Sequence, residues 1–134
     1  MIVLDTNIIG YLYLTSDRST QAEEVLLKDS HWIAPLLWRS EFRNVLAFYL
    51  RKNLFSLEDA YRIMEEAANL MEGHEYEVAS IQVLALVATS TCSAYDCEFV
   101  ALAQDLDVQL VTVDKQILKQ FPDYTITLDD YLKS

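Results

Sequence analysis

Two short apolar runs, Met1-Ile2-Val3-Leu4 and Leu110-Val111-Thr112-Val113, each stop on an aspartate and give way to a helical pattern. Between them strand-like and helix-like segments alternate, which specifies an α/β domain whose parallel sheet is covered by helices on both faces. Asp5 and Asp114 then sit at the strand-to-helix turns along one edge of the sheet, where open parallel sheets form their binding crevices.

The rest of the chain fits that order. The first strand, Ile2–Leu4, is followed by helices predicted over residues 6–14 and 19–28, and a weak second strand over 31–34. A long helix over 36–52 has two apolar stripes, one of Leu37, Val45 and Phe48 and one of Trp38, Phe42, Leu46 and Tyr49, so burial on more than one side is expected. Glu41 shares the first stripe. Ser56 is placed to cap a helix over 56–72 with a stripe of Leu57, Tyr61, Met64, Ala68 and Met71. A short strand over 75–78, an apolar helix over 79–88, a polar loop over 89–93, a helix carrying Asp96, a strand over 109–113 and a short helix over 115–120 follow. A turn at Pro122-Asp123, a last strand over 124–127 and a capped terminal turn at Asp129-Asp130 complete one predicted domain spanning residues 1–134.

Only two glycines and two prolines in 134 residues leave few positions for the tight turns of all-β folds, so more helix than strand is expected. Cys92 and Cys97 match neither a redox pair nor a zinc knuckle and are expected as reduced thiols packed as small hydrophobes. With no signal peptide in sight, a cytoplasmic protein is expected. No apolar run approaches the ~18 residues of a membrane helix, so no membrane partner is expected. The aromatic helices 36–52 and 56–72 offer more apolar surface than one small domain buries, which favours a homodimer or a bound partner helix.

Four acids stand out: Asp5, Glu41, Asp96 and Asp114. Three have an ordinary explanation as helix caps, since Asp5 and Asp114 precede helices and Ser93-Ala94-Tyr95-Asp96 has capping-box spacing. Glu41 lacks one, because a carboxylate on an apolar face needs a partner, such as Arg39 or Arg43, or loses its charge. If the four converge, repulsion between two of them ~5 Å apart is roughly 3 kcal/mol at an effective dielectric of ~20. A divalent cation relieves it, and an all-carboxylate donor set suits Mg²⁺ or Mn²⁺ rather than zinc. His31 and His74 are then packing or surface residues.

The formal net charge of −11 opposes general binding to nucleic acid, and with the four focal acids set aside the net charge is still −7. Half of the ten basic residues, Arg39, Arg43, Arg51, Lys52 and Arg62, nevertheless cluster in one stretch. They are either ordinary charges on a solvated helix pair or a ridge that contacts phosphate.

The opening Ile-Val-Leu-Asp5-Thr6-Asn7, the mid-chain Ser40-Glu41-Phe42, the segment from Tyr95-Asp96-Cys97 to Ala103 and the Leu110–Asp114 strand together resemble the PIN-domain family, and most nearly its VapC-type toxins. Cys97 stands where many relatives have alanine. The resemblance implies an α/β/α sandwich with a five-stranded, mostly parallel sheet. It implies a metal-dependent endoribonuclease neutralised by an antitoxin protein, with Asp5, Glu41, Asp96 and Asp114 holding one or two Mg²⁺ or Mn²⁺ ions. Thr6, Asn7 and Thr112 become supporting partners, Arg39 and Arg43 candidate RNA contacts, and cleavage leaves a 5′-phosphate. A structured RNA is the implied substrate, because the remaining negative charge disfavours indiscriminate backbone binding. Two other classes compete: a catalytically silent PIN-like module docking a basic peptide, and a small-molecule phosphohydrolase. The latter is disfavoured because Asp5-Thr6-Asn7 lacks a second aspartate and the chain lacks a phosphate-cradling glycine loop.

Overall fold

The structure, a computed structural model, describes residues 1–134. Five strands, β1 (Ile2–Leu4), β2 (Trp32–Pro35), β3 (Glu75–Tyr76), β4 (Leu110–Thr112) and β5 (Thr125–Thr127), form one sheet in the order β3-β2-β1-β4-β5. Every pairing is parallel, with Val3 opposite both Ile33 and Leu110. The expectation of a mostly parallel sheet is therefore met in its strictest form. Val3, Leu4, Ile33, Ala34, Leu110 and Val111 are all fully buried, because helices cover both faces of the sheet. This explains why these strands read as continuous apolar runs rather than as alternation.

Eight helices connect the strands: α1 (Thr6–Tyr13), α2 (Ser19–Lys28), α3 (Leu37–Arg51), α4 (Leu57–Met71), α5 (Ser80–Ala88), α6 (Ala94–Leu106), α7 (Lys115–Gln120) and α8 (Leu128–Lys133). α6, backed by α5, packs against β1, β2 and β4, while α1 packs on both α2 and α3 and α2 packs on α8. The result is a three-layer α/β/α sandwich. Five of the eight helices have a polar side chain capping the start, α2, α3 and α5 having none. Ser56 and Asp59 close a reciprocal capping box, and Ser93 and Thr127 each accept from the backbone three residues on. The segment expected as a capped terminal turn is the helix α8.

Chain order sets where the crevice opens. From β1 the chain steps outward to β2 and β3, then returns through α6 to the opposite side of β1 as β4, so the direction of winding reverses between β1 and β4. Asp5 follows β1 directly, Asp114 lies two residues past β4, and the two flank that reversal.

The two stripes of α3 do not share one fate. Trp38, Phe42 and Leu46 are buried, whereas Glu41 and Val45 are half-buried and Phe48 is 55% exposed. Amphipathic spacing identifies both stripes, but only tertiary packing against β2 and α1 selects the one that enters the core. Cys92 and Cys97 are free and buried, as expected of small hydrophobes. No helix is long and apolar enough to cross a membrane.

The two glycines make opposite demands. A Cβ at Gly10, inside α1, would meet the Phe42 ring at an ordinary 3.9 Å, whereas Gly73 sits at φ +77° after α4. Gly10→Ala is expected to stabilise the protein by about 0.5–1 kcal/mol through lower chain entropy and better helix propensity. Gly73→Ala is expected to destabilise it by about 1–2 kcal/mol, because a Cβ disfavours the left-handed region. Urea denaturation of the two variants checks both signs.

Candidate active site

Asp5 directly follows β1 and is only 7% exposed. Its Oδ1 accepts from the Ile8 N–H at 3.1 Å, capping α1. Its Oδ2 accepts from the Val113 N–H at 3.2 Å and from the Thr112 hydroxyl, both at the end of β4. One carboxylate thus pins the two central strands together at the reversal point. Burial still pushes its pKa up from the usual aspartate value, against these hydrogen bonds and reinforced by nearby Asp114.

Thr112 continues the chain of contacts, its hydroxyl oxygen accepting from the Asp114 N–H at 3.1 Å. Asp114 caps α7 through Oδ1, which accepts from Gln116 and Ile117 at 2.9 and 3.0 Å. Its other oxygen has no hydrogen-bond partner in the chain. Gln116 in turn donates through its side chain to Thr91, tying α7 to the polar loop ahead of α6. That loop ends at Ser93, whose hydroxyl caps α6 by accepting from the Asp96 N–H at 3.0 Å. Burial and then the charge of Asp114 raise the Asp96 carboxyl above its ordinary range, offset in part by Ser93.

Glu41 enters from α3. Its Oε1 accepts from the Thr6 hydroxyl at 2.7 Å, and no arginine reaches it. Arg39 instead forks onto Glu75 through bonds of 2.5 and 2.7 Å, with Trp38 Nε1 donating to the same carboxylate at 2.7 Å. Arg43 donates to the Arg39 carbonyl and to Ser40. The arginine clasp on Glu41 is therefore absent, and neither arginine lines the crevice. Desolvation raises the Glu41 carboxyl, the Thr6 hydrogen bond opposes this, and Asp96, Asp5 and Glu98 add repulsion.

The four acids come from four separate elements and line one cavity of about 230 Å³, together with Thr6, Asn7 and Asn44. No lysine, arginine or histidine is among its lining residues. Thr112 lies behind the wall, fully buried, orienting Asp5. His31 and His74 pack on one another elsewhere, with ring centroids 4.6 Å apart. Asn44 does not stand out in the sequence, although its position three residues after Glu41 puts it on the same helical face.

The donor set fits a hard divalent cation. It consists of carboxylate, amide and hydroxyl oxygens, its negative charge is uncompensated, and at least one oxygen each of Glu41 and Asp114 is free of protein partners. The carboxylates are not already drawn up as a ligating cluster of three or more.

Comparison with known proteins bears on the family and the fold. The chain is 28% identical over 124 residues to Ribonuclease VapC3 of Pyrobaculum aerophilum, covering 90% of this chain and 95% of that protein. A crystal structure of a Pyrobaculum aerophilum protein superposes with a TM-score of 0.78 at 16% identity, over 98% of this chain and 93% of that one. A toxin–antitoxin complex from Klebsiella pneumoniae gives 0.71 at 15% identity, over 96% and 98%. The PIN domain model matches residues 2–123, nearly the whole sequence, and the chain belongs to the PIN domain family.

Proposed function

We propose that this chain is a divalent-metal-dependent endoribonuclease acting as the toxin of a toxin–antitoxin pair, residues 1–134 working as one unit. The observation that carries the reading is the convergence of Asp5, Glu41, Asp96 and Asp114 on one cavity that contains no basic side chain. The similarity to a protein named as a ribonuclease, and the shared fold with the toxin–antitoxin complex, support the substrate class and the partner.

The four carboxylates would hold one or two Mg²⁺ or Mn²⁺ ions. A bound ion supplies Lewis-acid chemistry, lowering the pKa of an attacking water and stabilising charge on the phosphodiester oxygens. The protein's own contribution is positional. Thr112 and the Val113 N–H fix Asp5, Thr6 fixes Glu41, and the Asp114 N-cap bonds fix that carboxylate in one orientation. Asn7 and Asn44 at the cavity wall present amide groups to the phosphodiester. Attack in line with the leaving oxygen and release of a 5′-phosphate product complete the reaction. Inhibition by an antitoxin would use the same charge, with an arginine of the partner entering the acidic cavity.

Substitutions Glu41→Gln and Asp96→Asn are expected to abolish Mn²⁺-dependent cleavage of structured RNA, a loss exceeding the about 10–100-fold typical when only a ligand's supporting partner is removed. Thr6→Val should fall within that smaller range. Gel assays on purified protein check both, and a Glu41→Gln or Asp96→Asn protein that still cleaves at the parent rate overturns the assignment.

Stability should move the opposite way. Asp5, Glu41 and Asp96 have folded-state pKa values above their ordinary ones, so the folded state holds protons that the unfolded chain releases. Stability contributed by these groups is therefore present at low pH and lost as pH rises from the ordinary carboxylate range through the raised values. In metal-free protein at neutral pH, Asp96→Asn should raise the Tm by about 2–5 °C. The advantage should shrink on acidification toward the ordinary aspartate range. Millimolar Mg²⁺ should raise the parent Tm more than that of the variant, because the ion binds only the folded state. Thermal scans across pH, with and without Mg²⁺, check the sign.

A further inference from the structure

Phe48 lies seven residues beyond Glu41 on the same face of α3, about 10 Å along the axis at 1.5 Å per residue. It is 55% exposed. Asn44, Phe48, Arg51 and Lys52 line a hollow of about 390 Å³, and Asn44 also lines the acidic cavity, so the two are neighbours with Asn44 at their border. The Lys52 ammonium lies 5.3 Å from the centre of the Phe48 ring.

The cations of this hollow are the members of their cluster with neither an ion pair nor a side-chain hydrogen bond. Arg39 is forked onto Glu75, Arg62 pairs with Asp59, and Arg43 donates to the Arg39 carbonyl. Neither Arg51 nor Lys52 forms an ion pair, and neither side chain donates a hydrogen bond to the protein. A helix C-terminus tolerates both charges. It does not explain a phenylalanine kept in solvent between them and the acidic cavity. In a chain of net charge −11, cations beside the acidic cavity favour the path a polyanion takes out of it.

We infer that this stretch of α3, from Asn44 through Phe48 to Arg51 and Lys52, is a subsite for a single-stranded segment of RNA running out of the acidic cavity. Phe48 stacks a base, and Arg51 and Lys52 take flanking phosphates; the choice of RNA as ligand rests on the ribonuclease reading. The lining favours it over a protein-docking groove, because Phe48 is the hollow's one apolar side chain. An exposed aromatic beside two cations is the combination that holds single strands without reading sequence.

The test uses the full chain carrying Asp96→Asn, so that RNA survives, and fluorescence anisotropy with a labelled single-stranded RNA of mixed sequence in Mg²⁺. Adding Phe48→Ala should weaken binding about 5-fold or more, and Phe48→Trp should keep it. Adding Arg51→Gln with Lys52→Gln should weaken binding and flatten the log–log salt dependence by roughly 1.4, about 0.7 for each single-strand phosphate that is no longer neutralised. Phe48→Ala should leave that slope alone. In the otherwise unaltered protein, the same substitutions should raise KM for the long RNA and leave hydrolysis of a dinucleotide, too short to reach Phe48, unchanged. Affinity and slope that stay the same in every variant, or no RNA binding by the parent at all, overturn the subsite. A protein that cleaves RNA with KM unmoved sinks the subsite and leaves the ribonuclease reading intact. One that binds through Phe48 but never hydrolyses a phosphodiester does the reverse.

Discussion

Asp5 is the hinge of this molecule. Its two oxygens accept from Ile8 in the following helix and from Thr112 and Val113 across the sheet, so one buried carboxylate caps α1 and ties β1 to β4. Those two strands are where the winding of the sheet reverses, and the crevice opens between them. A neutral residue of the same shape could cap the helix, but it could not accept all three bonds and remain negative. The fold thus places a charge at its own switch point and surrounds it with donors that favour the ionised form, while burial works against it.

The same economy explains why capping and chemistry could not be separated from spacing alone. Asp5 and Asp114 are N-caps and also face the cavity, because the start of a helix after a parallel strand is also the rim of the crevice. In Asp114 the two tasks are divided between oxygens: Oδ1 holds Gln116 and Ile117, leaving the second oxygen free. For Asp96 the cap is Ser93. Helix dipoles at these termini favour negative side chains one at a time, whereas their convergence makes them mutually unfavourable.

The order of strands and helices along the chain, and the caps at Asp5, Ser56, Ser93 and Asp114, were legible in the sequence because short, fully buried parallel strands and N-capped helices leave strong local signals. Even β3, only Glu75–Tyr76, falls at the start of the strand expected over 75–78. What local pattern could not supply was which side of α3 faces inward. Both stripes have helical spacing, and only the fit of Trp38 and Phe42 against β2 and α1 decides that Glu41, Val45 and Phe48 take the outer side. For the same reason the partner of Arg39 was hidden: Glu75 is 36 residues away and is brought alongside by the pairing of β3 with β2. Asn44 was hidden too, because an exposed amide in a helix carries no signal until its neighbours are placed.

Placing Glu41 on the outer side of α3 turns an apparent misfit into a consistent design. On a buried apolar stripe it would have required an arginine or a proton. Half-buried at the cavity wall, it needs only the Thr6 hydroxyl on one oxygen and keeps the other available. Thr6 is supplied by the first turn of α1, which Asp5 itself caps, so the positions of two of the four acids are set by one turn of backbone. The repulsion that remains among them is concentrated where a cation would act, while the surrounding sheet and helices are apolar and well buried. Local electrostatic strain on a stable scaffold is the expected signature of a functional site, and here it coincides with the topological one.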